Sequence, residues 1–396
     1  MGFSFGNKNK DKVVAIFDIG SGSVTAGIVR IPGDPNFIPS IIKSARAQIK
    51  IEKDNNISKL LEETLDAITF SAVELKKMGH WKIDEIYCVL SSPWYVSETR
   101  LIKHTKDKYF YFNEKLADEL VKEELSKISE SFSSKYEKLE TKPEMIEHHI
   151  MGVSLNGYHT DDPMSKMTKS VEISMFVSIS PATFLTKIKN TLEKNFYHSP
   201  VSFSSFMMNT YIGVRDRYIH PTSYILLDVS GEITDVGIVL NGILKASLSF
   251  PFGKKTFFKY MCTKMEIELR DAEEIFGLYC RNEISDKYKK EVVPLFKSIE
   301  SSWGESFREA INTLPRNLVL PNTFFLTADN DIKEWFANVL RTEEHIQKVV
   351  EGGKCSVVTL DGPEFLKMCN VEEGTCDPFL MVEAIAVMRK NEKKYA

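Results

Sequence analysis

The sequence predicts an α/β protein built from two related lobes. The main observation is a duplicated design at residues 13–24 and 224–235, in which an apolar strand ends in an aspartate and is followed by a turn of small residues. Length is the second observation, because 396 residues with 43% hydrophobic content exceed one core and suit two lobes of roughly 150 to 200 residues each. Together they predict two sheets, one in each lobe, whose edges with the aspartate and the turn face each other.

In both copies the chain continues after the turn as a second apolar strand and then reverses. The reversals are expected at Pro32-Gly33 and at Asn241-Gly242, and Asn-Gly is a strong hairpin signal. Each copy therefore predicts a strand, a turn, a second strand and a hairpin, in that order.

The two turns have the chemistry of phosphate-binding loops, although either turn alone is also typical of an ordinary β-turn. Glycines let a phosphate oxygen approach the main chain, and serines add hydroxyl donors. The candidate nucleotide-binding residues of the turns are Gly20, Ser21, Gly22, Ser23, Gly231 and Thr234. Because a carboxylate repels phosphate, Asp18 and Asp228 are predicted to act through a hydrated Mg²⁺ shared with the nucleotide.

Hydrophobic periodicity and capping residues predict the remaining elements. A helix is expected over residues 56–78 with Asn56 or Ser58 as its N-cap, and another from Pro181 to Phe196 with Ser180 as its N-cap. The other predicted elements are a strand at 83–90, a strand at 95–104, a helix at 113–131, a linker at 131–144, two strands around Asn156-Gly157, a crossing helix at 203–217, a helix at 265–278 and a C-terminal helix ending at Lys390.

These motifs resemble the actin, hexokinase and chaperone ATPase superfamily, and most closely the FtsA cell-division family, with the PilM type IV pilus family as a near relative. Residues 18–24 look like the first phosphate motif of that superfamily and residues 228–235 like the second. Ala272-Glu273 is similar to the family's pair at the nucleoside, which makes Glu273 a further implied nucleotide-binding residue. The resemblance implies a two-lobed actin-like (ribonuclease H-like) fold, with ATP and Mg²⁺ as cofactors.

The segment between the two turns resembles the SHS2-type subdomain inserted in FtsA. The likeness lies in residues 149–158, in Asp162-Pro163-Met164 and in residues 171–178. The expected fold therefore carries an inserted small α+β subdomain. The implied organisation is a flexible tail (1–12), the first part of lobe 1 (13–93), the insertion (94–180), the second part of lobe 1 with the crossing helix (181–220), lobe 2 (221–370) and a C-terminal helix returning to lobe 1 (371–396).

Several positions differ from the superfamily pattern. Ser230 and Glu232 stand where glycines are favoured, Phe276 replaces a lysine, and Ala328-Asp329 replaces the Gly-Gly pair beside the adenine. Together these changes predict weak ATP binding and a slow or absent ATPase. No catalytic residue is assigned. Asn209 and Thr210 on the crossing helix are the candidates for positioning a water molecule. Ser204 and Ser205 are expected either in the same role or on the surface of the helix.

The resemblance implies an FtsA-like protein that binds ATP between its lobes, self-associates into filaments through the insertion and contacts an FtsZ C-terminal peptide on lobe 2. The alternative is a PilM-like adaptor that binds a peptide of a pilus membrane protein. A hexokinase-type kinase is the weakest alternative, because no sugar site is visible. The net charge of −4 and the pI near 6.1 give no basic field, so no nucleic-acid partner is expected.

Composition also bears on compartment. The six cysteines show no Cys-x-x-Cys pair, which predicts reduced thiols and no zinc site, and His148-His149 is interpreted as structural. No long apolar run and no signal peptide are visible, which predicts a cytoplasmic protein, placed at the inner face of the membrane only if its N-terminal tail contacts it. Phe3, Phe5 and the lysines of the tail suggest a membrane contact, against the alternative of a disordered polar tail.

Overall fold

The computed structural model describes residues 10–34, 36–49, 56–135, 142–315, 318–374 and 376–390. The membrane contact is predicted for the tail at residues 1–12, of which residues 1–9 lie outside the described ranges. The strands are β1 (Lys12–Ile19), β2 (Ser23–Ile31), β3 (Ser40–Gln48), β4 (Glu85–Leu90), β5 (Val96–Phe112), β6 (Pro143–Leu155), β7 (Tyr158–Thr160), β8 (Lys166–Pro181), β9 (Val201–Ser205), β10 (Tyr224–Val229), β11 (Thr234–Leu240), β12 (Ile243–Phe250), β13 (Thr323–Ala328), β14 (Ser356–Thr359) and β15 (Asn370–Val371). The helices are α1 (Ile57–Lys77), α2 (Glu114–Lys135), α3 (Ala182–Glu193), α4 (Phe206–Arg217), α5 (Lys254–Met265), α6 (Leu269–Cys280), α7 (Asp286–Ile311), α8 (Lys333–Thr342), α9 (Glu344–Gln347), α10 (Gly362–Phe365) and α11 (Pro378–Lys390).

Lobe 1 is a sheet in the order β15-β3-β2-β1-β4-β9. Strand β1 pairs antiparallel with β2 and parallel with β4. Helix α1 packs on β2 and β3 on one face, and α11 packs on β1 and β2 on the other. Because both faces are covered, β1 is buried from Val14 to Ile19, which explains its unbroken apolar run.

Lobe 2 repeats this arrangement in the order β12-β11-β10-β13-β14. Strand β10 pairs antiparallel with β11 and parallel with β13, as β1 does with β2 and β4. Helices α5 to α8 contribute to the core on one face. The predicted duplication is confirmed, and so is the hairpin at Asn241-Gly242, whose φ angles of 51° and 76° are both positive.

The insertion is a separate sheet in the order β5-β8-β6-β7, with α2 on one face. The sequence predicts three strands and one helix here, whereas the structure has four strands because the chain adds the short β7 after the turn. Asn156 and Gly157 form that turn with φ angles of 51° and 84°, as predicted. The predicted linker at 131–144 is wrong at both ends, since α2 continues to Lys135 and β6 begins at Pro143.

Four predicted helices need comment. Helix α1 is confirmed, and Asn56 caps it by accepting hydrogen bonds from the backbone N–H groups of Ser58 and Lys59. The N-cap prediction of Ser180 is wrong: α3 follows Pro181 without a side-chain cap, and Ser180 Oγ donates to the carbonyl of Trp94 at 2.7 Å.

The helix predicted at 265–278 corresponds to α6, which begins four residues later than predicted and runs from Leu269 to Cys280. Helix α5 ends at Met265, and Glu266 takes a left-handed conformation with φ of 55° before α6 begins at Leu269. The predicted crossing helix is also shorter, because residues 201–205 form β9 and only α4 is helical. β9 was missed since its alternating serines carry little apolar signal.

Helix α4 lies between the two sheets. It contacts β9 in lobe 1, β10 in lobe 2 and α11. A Cβ atom at Gly237 of β11 would lie 2.6 Å from the sulfur of Met207, so the glycine permits the close approach of lobe 2 to this helix. In the described ranges, no helix is long and apolar enough to cross a bilayer.

Candidate functional site

The two predicted phosphate turns meet where the lobes face one another. A Cβ atom at Gly231 would lie 2.7 Å from the nitrogen of Gly22 and 2.8 Å from the carbonyl carbon of Ser21. The backbone N–H of Glu232 donates to Ser21 Oγ at 3.0 Å across this contact. The turns therefore lie against each other in this conformation.

The two aspartates also approach each other from opposite lobes. Asp18 and Asp228 are buried near the ends of β1 and β10. Burial is the largest cause that raises the pKa of Asp228 well above its usual range, and the charges of Asp235 and Asp18 add to it. The Thr327 hydroxyl donates to Asp228 Oδ1 at 2.7 Å and opposes the shift. The repetition in sequence thus brings two carboxyl groups to one place.

Behind the first turn lies a cluster of carboxyl groups. Burial and the charges of Asp377 and Asp329 raise the pKa of Asp18 to about 8, although Arg46 lowers it. Glu383 of α11 is fully buried, and neither of its carboxyl oxygens has a hydrogen-bond partner among the described residues. Burial, Asp18 and Asp377 raise the pKa of Glu383 well above its usual range. Sequence reasoning missed Glu383 because an acidic residue in a helix usually marks the solvent face.

The fit of a metal-bound triphosphate to these residues is partial. Asp18 and Asp228 supply carboxylate oxygens, which suit Mg²⁺. Over the part of the chain that the structure describes, however, no group of three metal-ligating side chains is close enough to hold an ion by itself. Phosphates and waters would have to complete the coordination, and the contact between Gly22 and Gly231 must open to admit them.

The side chain of Thr234 points away from the contact between the two turns. Its hydroxyl donates to the carbonyl of Phe252 at 2.5 Å and accepts from Trp303 Nε1 at 3.3 Å. Its backbone, not its hydroxyl, is the part that lies next to the turn.

A cavity of about 760 Å³ opens beside the turns. Its lining includes Glu273 and Phe276 of α6, the helix that the superfamily resemblance implies is at the nucleoside. The cations of the lining are Arg46, Lys254 and Lys255, and its apolar residues are Ile49, Phe258, Leu269 and Phe276. Size and position suit a nucleoside-sized ligand.

The residues predicted to position a water are enclosed by protein. Asn209 and Thr210 are buried in α4, and Asn209 Nδ2 donates to Ser204 Oγ at 3.1 Å. Ser204 and Ser205 are buried as well, at the end of β9, so their interpretation as helix surface is wrong.

A second concave site lies between the insertion and lobe 1. This peptide-sized groove has a volume of about 480 Å³. It is lined by His149, Ile150 and Met151 of β6, by Met208, Tyr211, Ile212, Arg215 and Asp216 of α4, and by Arg389 and Lys390 of α11. No sequence pattern indicates this groove, since its walls come from three segments far apart in the chain.

Comparison with solved structures identifies the architecture. The structure described as the PilM-PilN type IV pilus biogenesis complex superposes with a TM-score of 0.63 at 12% identity, covering 98% of this chain and 99% of that one. The chain has an actin-like ATPase fold. No family model matches the sequence, and no curated protein matches it.

Two further solved structures match the chain more weakly. Ethanolamine utilization protein EutJ from Carboxydothermus hydrogenoformans has a TM-score of 0.44 at 9% identity, covering 96% of this chain and 91% of that one. A Bacteroides thetaiotaomicron protein described as having an actin-like ATPase fold and unknown function has a TM-score of 0.39 at 11% identity, covering 98% and 99%.

Proposed function

We propose that this actin-fold protein is an adaptor that binds a short peptide of another protein in the groove between the insertion and lobe 1. The observation that carries the proposal is the groove itself, where an unpaired strand edge faces an apolar helix. The complex of PilM with PilN has the same fold and supports an adaptor role of the PilM type, with a pilus membrane-protein peptide as partner.

The strand edge is the first part of the argument. β6 pairs with β8 on one side, and β7 covers its other side only along Val153–Leu155. In the described part of the chain, no strand pairs with the outer edge of residues 145–151. An exposed edge of this kind can accept an extended peptide through main-chain hydrogen bonds.

The apolar surface and the charges are the second part. Ile150 and Met151 of β6 are partly exposed and provide apolar surface for peptide side chains, whereas Met208 and Ile212 of α4 line the groove but are almost fully buried. Arg215, Arg389 and Lys390 outnumber Asp216 at the groove, so its charge is positive on balance. We therefore expect an extended, partly apolar peptide with at least one acidic residue.

Fluorescence anisotropy with labelled peptides tests the proposal. Peptides from the N-termini of pilus membrane proteins should bind the wild type, and Arg215→Glu should weaken binding about tenfold because it reverses a charge at the groove. Lys115→Glu is the matched control, since Lys115 lies on the exposed face of α2 away from the groove. Equal affinity of the wild type and Arg215→Glu would refute the location.

Cell division is the second candidate, favoured by the resemblance of the insertion to that of FtsA. In this alternative the protein self-associates into filaments at the inner face of the membrane and binds an FtsZ C-terminal peptide on lobe 2. An FtsZ peptide that binds with the same affinity to the wild type and to Arg215→Glu, together with sedimenting polymers, would favour it over the pilus adaptor.

We also propose that the inter-lobe cleft binds ATP with Mg²⁺, weakly and with slow or no hydrolysis. The turns carrying Gly20, Ser21, Gly22, Ser23, Gly231 and Thr234 would approach the phosphates, Glu273 the nucleoside, and Asp18 and Asp228 the hydrated metal. Isothermal titration should show ATP binding to the wild type that Asp18→Ala and Asp228→Ala both abolish. Binding that persists in both variants would contradict the metal assignment.

A further inference from the structure

We propose that Asp329 is a built-in anion that bridges the lobes and determines the specificity of the inter-lobe cleft by disfavouring polyphosphate ligands. The inference deepens the proposed nucleotide site and rests on that assignment of the cleft. It concerns one residue that the superfamily resemblance places beside the adenine.

The contacts of Asp329 cross between the lobes. Asp329 follows β13 in lobe 2, and its Oδ1 accepts a hydrogen bond from Nη2 of Arg46, which belongs to β3 in lobe 1. Its Oδ2 accepts from Lys254 Nζ at 2.9 Å, at the start of α5. The same Arg46 Nη2 donates to Ser23 Oγ at 2.9 Å, so the bridge reaches the first phosphate turn.

The charges explain why this bridge competes with phosphate. Arg46 and Lys254 are two of the three cations in the cavity lining, and both are engaged by Asp329. Burial would raise the pKa of Asp329, but Lys254 and Arg46 outweigh it and hold the pKa below its usual range. The carboxylate is therefore ionised at neutral pH and repels an incoming phosphate while neutralising the groups that would attract it.

The same bridge favours the closed arrangement of the lobes. In an actin-like fold a ligand between the lobes favours the closed form by contacting both of them. Here Arg46 and Asp329 make such a contact within the chain, and Gly22 lies against Gly231. The apolar wall formed by Phe258, Leu269 and Phe276 remains available, which suits an uncharged nucleoside better than a triphosphate.

Isothermal titration with two probes tests the inference on the full chain. Asp329→Asn removes the charge and keeps the size, so tripolyphosphate should bind about tenfold more tightly than to the wild type. Adenosine, which has no charge, should bind both proteins equally. Asp331→Asn is the matched control: Asp331 also contacts Lys254, at 2.8 Å, but is more exposed and forms no contact with Arg46 in the structure, so tripolyphosphate affinity should change little.

A second variant tests the bridge from the other lobe. Arg46→Met removes the bridge and should raise hydrogen exchange at residues 20–23, and Asp329→Asn, which only weakens it, should raise exchange less. Arg46→Met should not raise tripolyphosphate affinity, since it also removes a cation. Equal tripolyphosphate affinity of wild type and Asp329→Asn, or unchanged exchange in Arg46→Met, would overturn the proposal. The Asp18→Ala and Asp228→Ala titrations with ATP test the nucleotide site separately, so the two failures are distinguishable.

Discussion

Glu147 Oε1 accepts a hydrogen bond from the backbone N–H of Ser205 at 2.7 Å, which ties the inserted subdomain to the start of helix α4. The carboxylate lies at the helix N-terminus, where the partial positive charge of the helix favours an anion. Ser178 Oγ donates to the same oxygen at 3.1 Å, and His149 Nε2 lies 3.1 Å from the other oxygen. One buried carboxylate thus connects the insertion, the crossing helix and the strand that lines the groove.

Stability should depend on pH through Glu147. Burial raises its pKa, but the hydrogen bond from His149, the charge of Lys390 and the Ser205 hydroxyl outweigh burial and lower the pKa from 4.5 to about 2. A lowered folded-state pKa stabilises the protein above about pH 4.5, and this contribution is lost as the pH falls toward 2. Its full size is about 3 kcal/mol.

The Glu147→Gln variant isolates this term. It should be less stable than the wild type at pH 7, and the difference in the free energy of unfolding should shrink steadily between pH 5 and pH 3. Urea denaturation at several pH values measures it. A difference that stays constant with pH would show that Glu147 acts by packing alone.

The contact between the phosphate turns makes Gly231 intolerant of a side chain. In Gly231→Ala the new Cβ would meet backbone atoms of Ser21 and Gly22, which cannot rotate away, so the lobes must separate locally. We expect a loss of about 1–3 kcal/mol in stability and faster hydrogen exchange in both turns. Ser21→Ala removes only the hydroxyl that accepts from Glu232 and should have a smaller effect. An unchanged melting temperature in Gly231→Ala would argue that the turns are apart in solution.

The sequence predicts most of the scaffold because the duplicated strands are buried on both faces. β1 and β10 are apolar except for Lys12 at the start of β1 and for Asp18 and Asp228 near the strand ends, and their partners follow after short turns, so the pattern is visible without any tertiary information. Asn56 likewise marks the start of α1 through a local hydrogen bond. Local interactions of this kind can be predicted from the sequence alone.

The rest of the site depends on contacts between segments far apart in sequence. The sequence marks position 329 as a departure from the superfamily pattern, but the pairing of Asp329 with Arg46 requires both lobes to be in place. Glu147 and Glu383 are buried acids whose environment comes from other segments, so nothing near them in the chain reveals their role. β9 was missed for a related reason, because parallel pairing with β4 and not its own composition makes it a strand.

Thr234 offers a way to separate structure from ligand binding. Its hydroxyl joins Phe252 and Trp303 inside lobe 2, so Thr234→Val should lose about 1–2 kcal/mol of stability by leaving the carbonyl of Phe252 and the indole N–H unpaired. Thr234→Ser keeps the hydroxyl and should retain most of that stability. Thermal denaturation compares the two variants. If Thr234→Val is as stable as the wild type but binds ATP less well, its hydroxyl turns toward the ligand in solution.

Glu383 is the residue whose replacement should stabilise the protein. Its carboxyl group is fully buried with no hydrogen-bond partner in the described structure, and burying a polar group in this way costs about 1–3 kcal/mol. Glu383→Met keeps a similar length and removes the polar atoms, so the free energy of unfolding at pH 7 should rise by a comparable amount.

Glu383→Gln keeps the shape without the acid. Because burial raises the pKa of Glu383, the folded wild type holds a proton that the unfolded chain releases, and its stability falls as the pH rises; Glu383→Gln should lack this fall. A loss of stability in both variants across pH 5 to 8 would mean that the carboxyl group has a partner in solution, and that the cluster around Asp18 is organised by it.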